Sequence, residues 1–260
     1  MNTQNNQGVG PEQKKQQNAG QCREKDNSLW ILIGMTVFLF LVSVGSYSYF
    51  IGSGNIVSKD FSVSEFQSIN LEASGNIYLT QDEQQSVRIE AEDKVFKLLT
   101  VNVENGKLTI SLKRYLVLMK PIKIYISMKE IENLEIGGSG SMVGQSKINA
   151  DTLKLLIEGS GSFDLDLTAK DLNTSIIGSG KLDLNGSVDN HNAEIEGSGN
   201  IKAFELLTET SDIEISGSGN AEIYASKQLD IDISGSGNVF YKGEATVTQE
   251  ISGSGNVKKR

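Results

Sequence analysis

Between Ile131 and Val257 apolar and polar residues alternate, as in Phe163-Asp164-Leu165-Asp166-Leu167 and Leu229-Asp230-Ile231-Asp232-Ile233. A period of two places one set of side chains inward and the other outward along a half-buried strand. The 3.6-residue period of a helix does not occur in this stretch. The tripeptide Gly-Ser-Gly punctuates the strands, starting at Gly138, Gly159, Gly178, Gly197, Gly217, Gly235 and Gly253, at intervals of 21, 19, 19, 20, 18 and 18 residues. A further copy starts at Gly52, and a degenerate one is Ala73-Ser74-Gly75. Two positions before the first glycine stand Ile136, Ile157, Ile176, Ile195, Ile215, Ile233 and Ile251. Four positions after it stand Met142, Phe163, Leu182, Ile201, Ala221, Val239 and Val257. Each repeat thus reads as a strand, a glycine corner and a second strand.

A unit of about 19 residues cannot close a core alone, but stacked copies can, with like residues above like. The pattern predicts an all-β fold, a right-handed parallel β-helix (solenoid), with the seven isoleucines as an internal ladder. Glycine suits the corners because it takes positive φ without strain. The next residue is Asn200, Asn220, Asn238 and Asn256 in four copies, a residue that tolerates left-handed backbone and can hydrogen-bond along a stack. A propeller fits less well. Its period is about 40–45 residues and its strands are antiparallel, and odd copies here do not differ from even ones.

The motif lapses between Gly75 and Gly138, while strand patterns persist at Ser86–Ala91, Val101–Val103, Lys107–Leu112 and Ile122–Ile126. Asn105-Gly106 between two strands predicts a hairpin, and Asp93–Leu99 a short helical turn. From Ala73 to Gly138 there are 65 residues, room for three coils. Residues 80–130 are therefore expected to be an irregular opening region of a 52–260 solenoid. Ten or eleven coils would extend roughly 50 Å at ~4.8 Å per strand. The basic Lys258-Lys259-Arg260 would blunt one open edge.

The 23 residues Leu29–Ile51 form an uncharged apolar run flanked by Trp30 and by Tyr47, Tyr49 and Phe50. About 20 suffice to cross a bilayer as a helix. Lys14, Lys15, Arg23 and Lys25 precede the run, and no Lys or Arg follows until Lys59. This places the N-terminus in the cytoplasm and the C-terminal domain outside, in the periplasm or on the cell surface. An uncleaved single-pass anchor in a bacterial cell membrane is favoured over a cleaved signal peptide, because the segment before it is 28 residues long and carries Glu12, Glu24 and Asp26. Residues 1–28 are polar, Asn- and Gln-rich and aperiodic, which reads as a disordered tail.

Composition then narrows the chemistry. The chain has one cysteine (Cys22) and one histidine (His191), which excludes a disulfide scaffold and leaves little room for a catalytic triad. After residue 51 there are 20 Lys+Arg against 30 Asp+Glu, which disfavours nucleic acid or anionic lipid as partner. The calcium-binding β-roll motif has period nine and an aspartate where this chain has Ile201 or Val239, so a structural corner is favoured over a metal loop. Asp164, Asp183 and Glu222 share one repeat position, and Glu158 and Glu196 another. They read as a solvated outer face with Lys181, Lys202 and Lys242 interspersed, rather than as a catalytic cluster. His191, in Asp189-Asn190-His191-Asn192, reads as part of a polar turn. Gly178-Ser179-Gly180-Lys181 lacks the spacing of a phosphate-binding loop. No catalytic, cofactor-binding or metal residues, and no cofactor, are therefore expected.

The segments Phe61–Leu71 and Gly75–Gln81, the Gly106–Ile110 hairpin arm, the Lys123–Ile126 strand and the successive Gly-Ser-Gly corners resemble the head GIN domain family, described as putative auto-transporter adhesins. The resemblance covers about residues 56–257. It implies a β-helical, extracytoplasmic bacterial domain with no catalytic motif to carry over. This chain departs from a simple secreted member of the family by its long cytoplasmic tail and expected anchor. The function expected is non-enzymatic, a membrane-anchored cell-envelope adhesin or binding scaffold for a protein or glycan. The alternatives are a carbohydrate-active enzyme on the same scaffold, or an envelope-stress or assembly component.

Overall fold

The computed structural model describes residues 53–113 and 120–260. The apolar segment 29–51 and the tail 1–28 lie outside these residues. Among the described residues no helix is long and apolar enough to cross a membrane.

Eighteen strands and one 3-10 turn (Val95–Lys97) make up the described chain. The regular part begins with β8 (Asn133–Gly138) and β9 (Ser141–Gly144). It continues through the long strands β10 (Ile148–Gly159), β11 (Ser162–Gly178), β12 (Lys181–Gly197) and β13 (Asn200–Gly217). It closes with β14 (Asn220–Tyr224), β15 (Gln228–Gly235), β16 (Asn238–Lys242), β17 (Thr246–Gly253) and β18 (Asn256–Lys259). All pair in parallel with the coil before, with glycine over glycine: Gly159↔Gly178, Gly178↔Gly197, Gly197↔Gly217, Gly217↔Gly235 and Gly235↔Gly253. The isoleucines stack as a column, Ile136, Ile157, Ile176, Ile195, Ile215 and Ile233 being fully buried. Ile251, in the last coil, is 36% exposed because no described strand lies above it. A second column, Met142–Phe163–Leu182–Ile201–Ala221–Val239–Val257, lines the other side of the corner.

The two glycines of each corner answer different demands. The first has positive φ (+122° at Gly178), a region that penalises a Cβ. The second lies against the isoleucine of the coil below: a Cβ on Gly199 would come within 2.6 Å of Ile176 Cγ2. Only the first demand is visible in local backbone terms. The asparagines after the corners bond along the stack, Asn220 Nδ2 donating to Asn200 Oδ1 (3.1 Å) and Asn238 Nδ2 to Asn220 Oδ1 (2.9 Å).

The opening region corrects the expectation of three successive coils. The coil of β2 (Ser68–Glu72) and β3 (Gly75–Gln81) has the next Gly-Ser-Gly coil, β8 and β9, on one side. On its other side lies a later coil made of β6 (Lys107–Leu112) and β7 (Ile122–Met128). The chain therefore steps backward along the axis before it moves forward. The hairpin of β5 (Leu99–Glu104) and β6 turns at Asn105-Gly106. Together with β4 (Ser86–Glu92) and β1 (Ile56–Phe61), β5 covers this end with antiparallel strands. Stacking β6, β2, β8, β10, β11, β12, β13, β15 and β17 gives nine parallel strands on one face. That is roughly 40 Å at ~4.8 Å spacing, shorter than the ten or eleven coils expected, and about seven turns carry the Gly-Ser-Gly corner.

His191 also departs from the sequence reading. It lies inside β12, fully buried, in the inward column between Leu172 and Ser211. Asp189 and Asn190, two consecutive outward residues, form a corner between the buried Val188 and His191, and Asn192 again points outward.

Candidate functional site

The face that precedes the corners carries outward side chains in straight ladders, because parallel in-register pairing puts equivalent residues above one another. One ladder runs Asn133–Lys154–Asn173–Asn192–Asp212–Asp230. Its neighbour runs Glu135–Leu156–Ser175–Glu194–Glu214–Asp232–Glu250. Between them lies an open groove of about 450 Å³ spanning five coils, from Asn133 and Glu135 to Asp212 and Glu214. A second concavity of about 1080 Å³ shares Asn133 and Lys154 with the first and continues around the coil to Gln81, Asp151, Lys170 and Asp189.

Amides order the floor. Asn192 Nδ2 donates to Asn173 Oδ1 (3.2 Å), and Asn133 Nδ2 to Glu135 Oε1 (2.7 Å). At the adjoining corner Asn190 Nδ2 donates to Asp171 Oδ1 (2.8 Å) and Thr210 Oγ1 to Asn190 Oδ1 (2.7 Å). Glu135 is held by Lys107 at 2.9 Å. Loss of solvent around Glu194, with the nearby charges of Glu196 and Glu214, raises its carboxyl above the usual range.

The acids picked out in the sequence lie elsewhere or apart. Asp164 and Asp183 stack on the other face, with Lys202 between Asp183 and Glu222, and Lys181 lies 3.4 Å from Asp183. Glu158 and Glu196 are separated by Ile177 in their column. The acids that do stack on the groove face are Glu194, Glu214, Asp232 and Glu250, in one continuous ladder that the sequence pattern of strands does not by itself single out. All four stand three positions before a corner glycine, so aligning that repeat position finds them. Six of the structural isoleucines form the buried spine, and Gly159, Gly178, Gly197, Gly217, Gly235 and Gly253 sit at the corners with positive φ. Among the described residues, no group of three or more His, Cys, Asp or Glu is arranged to hold a metal ion.

Behind the groove the core contains a small cluster of buried polar side chains. Thr174 Oγ1 lies 3.1 Å from His191 Nε2, and Thr208 Oγ1 lies 2.8 Å from Ser211 Oγ. His191 Nδ1 has no hydrogen-bond partner, and burial pushes the imidazole pKa down to about 4. The ring is therefore neutral at physiological pH and closed off from solvent.

A family model described as "Putative auto-transporter adhesin, head GIN domain" matches residues 65–245. A "putative adhesin" from Bacteroides fragilis is similar in structure, with a TM-score of 0.77 and 26% identity over 81% of this chain and 99% of that one. A "putative lipid binding protein" from Parabacteroides distasonis aligns at 25% identity with a TM-score of 0.67, over 82% of this chain and 100% of that one. A "putative adhesin" from Parabacteroides merdae shares the fold at 21% identity with a TM-score of 0.66, over 82% and 99% of the two chains. No curated protein matches the chain.

Proposed function

This chain belongs to the family described as "Putative auto-transporter adhesin, head GIN domain", and on that premise we propose that its solenoid is a non-enzymatic binding scaffold. Its contact surface is the ladder groove, and its partner is a glycan or a polar protein surface. The observation that carries this reading is the groove itself. Amides and carboxylates repeat at strand spacing across five coils on a rigid, in-register sheet. Such a surface offers acceptors and donors at fixed intervals to hydroxyl or peptide groups, with little ordering cost on binding. One structural relative is described as a lipid-binding protein. In this chain the amides and carboxylates of the groove, among them Asn173, Asn192, Glu194 and Glu214, offer hydrogen-bond partners to a hydroxylated or peptide ligand. The apolar segment 29–51 anchors the scaffold in a bacterial membrane with the solenoid outside.

The test is a glycan array and a cell-surface protein pulldown with the full chain, beside Asn192→Ala and Glu214→Ala. Binding that falls at least tenfold in both variants, with unchanged circular dichroism, supports the groove. Binding that ignores both substitutions removes it.

A second reading, a carbohydrate-active enzyme, has one observation in its favour. Four acids and Lys154 line the groove, and Glu194 has a raised pKa beside Glu214. Their parallel projection and the groove's shallowness favour binding. Release of reducing ends from a polysaccharide, abolished by Glu194→Gln, would reverse the order.

A further inference from the structure

The two ends of the stack differ. At one end β1, β4 and β5 cover the parallel coils with antiparallel strands. At the other, β17 pairs only with β15 and β18 only with β16, so their outer edges carry backbone groups that no described strand satisfies. An edge of this kind is a template for strand addition. Its inward line carries Ile251, which is 36% exposed, and the half-buried Val247 and Val257, with Gln249 and Lys259 as its polar members.

The terminal coil has an approximate two-fold symmetry about its corner, and it is the coil whose outer edge no described strand covers. Ser254 is the centre of its corner. Ile251 stands three residues before it and Val257 three after; Glu250 stands four before and Lys258 four after. Ile251 and Val257 both belong to inward columns, and Glu250 and Lys258 both to outward ones. A two-fold axis in the plane of the coil, passing through Ser254, exchanges the two faces. It lays β17 antiparallel on the partner's β18. Ile251 then opposes the partner's Val257, and Glu250 the partner's Lys258, twice over by symmetry. Ser252 opposes the partner's Asn256.

We propose that this edge is a tail-to-tail homodimer interface, with a second copy of the chain as its occupant. Charge selects the register. Pairing β18 with its own copy would set Lys258, Lys259 and Arg260 against the same three residues. Pairing it with β17 sets Lys258 against Glu250. Two of the basic residues are already engaged at home, Lys259 with Glu244 at 2.9 Å and Arg260 over the Phe240 ring at 4.5 Å. Among the described residues Lys258 and Glu250 form no ion pair. The two-fold contact is isologous, the same edge being used on both copies, so it closes at two. The dimer itself does not depend on the groove or on its ligand.

The test is sedimentation equilibrium of the full chain in detergent, with Glu250→Lys, Lys258→Glu and the double exchange. The wild type is expected to be dimeric. Each single variant should dissociate at least tenfold more readily, while the double exchange and an equimolar mixture of the two single variants restore the wild-type constant. Only the proposed register predicts that mixture, since mixing recreates both opposite-charge pairs. A wild type that stays monomeric, or a dimer indifferent to the single exchanges, overturns the proposal. Ile251→Asp gives a second measurement and should abolish association without changing the circular dichroism.

Discussion

The glycine tripeptide shows at residue scale how one motif can serve two physical purposes. In Gly-Ser-Gly the first glycine supplies backbone conformation and the second glycine supplies space for the isoleucine below. Gly199→Ala would drive a Cβ to 2.6 Å from Ile176 Cγ2 and should cost about 1–3 kcal/mol by overpacking. Gly137→Ala meets nothing nearer than 3.9 Å and should be close to neutral. Urea midpoints for the pair measure the difference. His191 makes a second case. Folding depresses its pKa from 6.5 to about 4, so below pH 6.5 the unfolded chain binds the proton that the folded one refuses. Its neutral burial contributes stability that is fully present above pH 6.5 and falls as the pH drops toward 4, by about 3 kcal/mol in all. His191→Leu continues the apolar column of Leu172 and should flatten that part of the stability–pH curve, as read from urea midpoints at pH 7 and pH 4.

Strand position along the stack sets the energetics of each element. The interior coils lose water on both sides, while the terminal coil loses it on one. Ile176→Ala should therefore cost about 2–5 kcal/mol through an unfilled cavity, and Ile251→Ala much less in the monomer, both checked by thermal melts. The covering layer depends on a buried carboxylate. Glu92 is fully buried, and its two oxygens accept the backbone N–H groups of Gly54 (2.7 Å) and Lys120 (2.9 Å). Glu92→Ala leaves both donors without that acceptor, a loss of about 2 kcal/mol or more. Hydrogen exchange should localise the loosening to β1 and β4 while β11–β13 stay protected.

For the whole molecule, one-dimensional stacking turns single repeat positions into continuous surfaces. The groove and the terminal edge are both products of register. A change at one coil of the groove should weaken ligand binding without altering the stack, because outward residues carry little of the core. Much of this was legible beforehand. Alternation and the seven corners determined the strands, their inward faces, the parallel stacking and the isoleucine spine, because each depends on local periodicity and on the failure of a short unit to bury itself. The hairpin at Asn105-Gly106 was equally local. Tertiary structure alone decided that the β6–β7 coil lies behind β2–β3, since alternation says which way a side chain points and nothing about which strand is its neighbour. It alone placed His191 in the core, where inward register outweighed polar flanking residues. It alone aligned Glu194, Glu214, Asp232 and Glu250 into one acidic line, because ladder spacing exists only once coils of 18 to 20 residues have been brought into register.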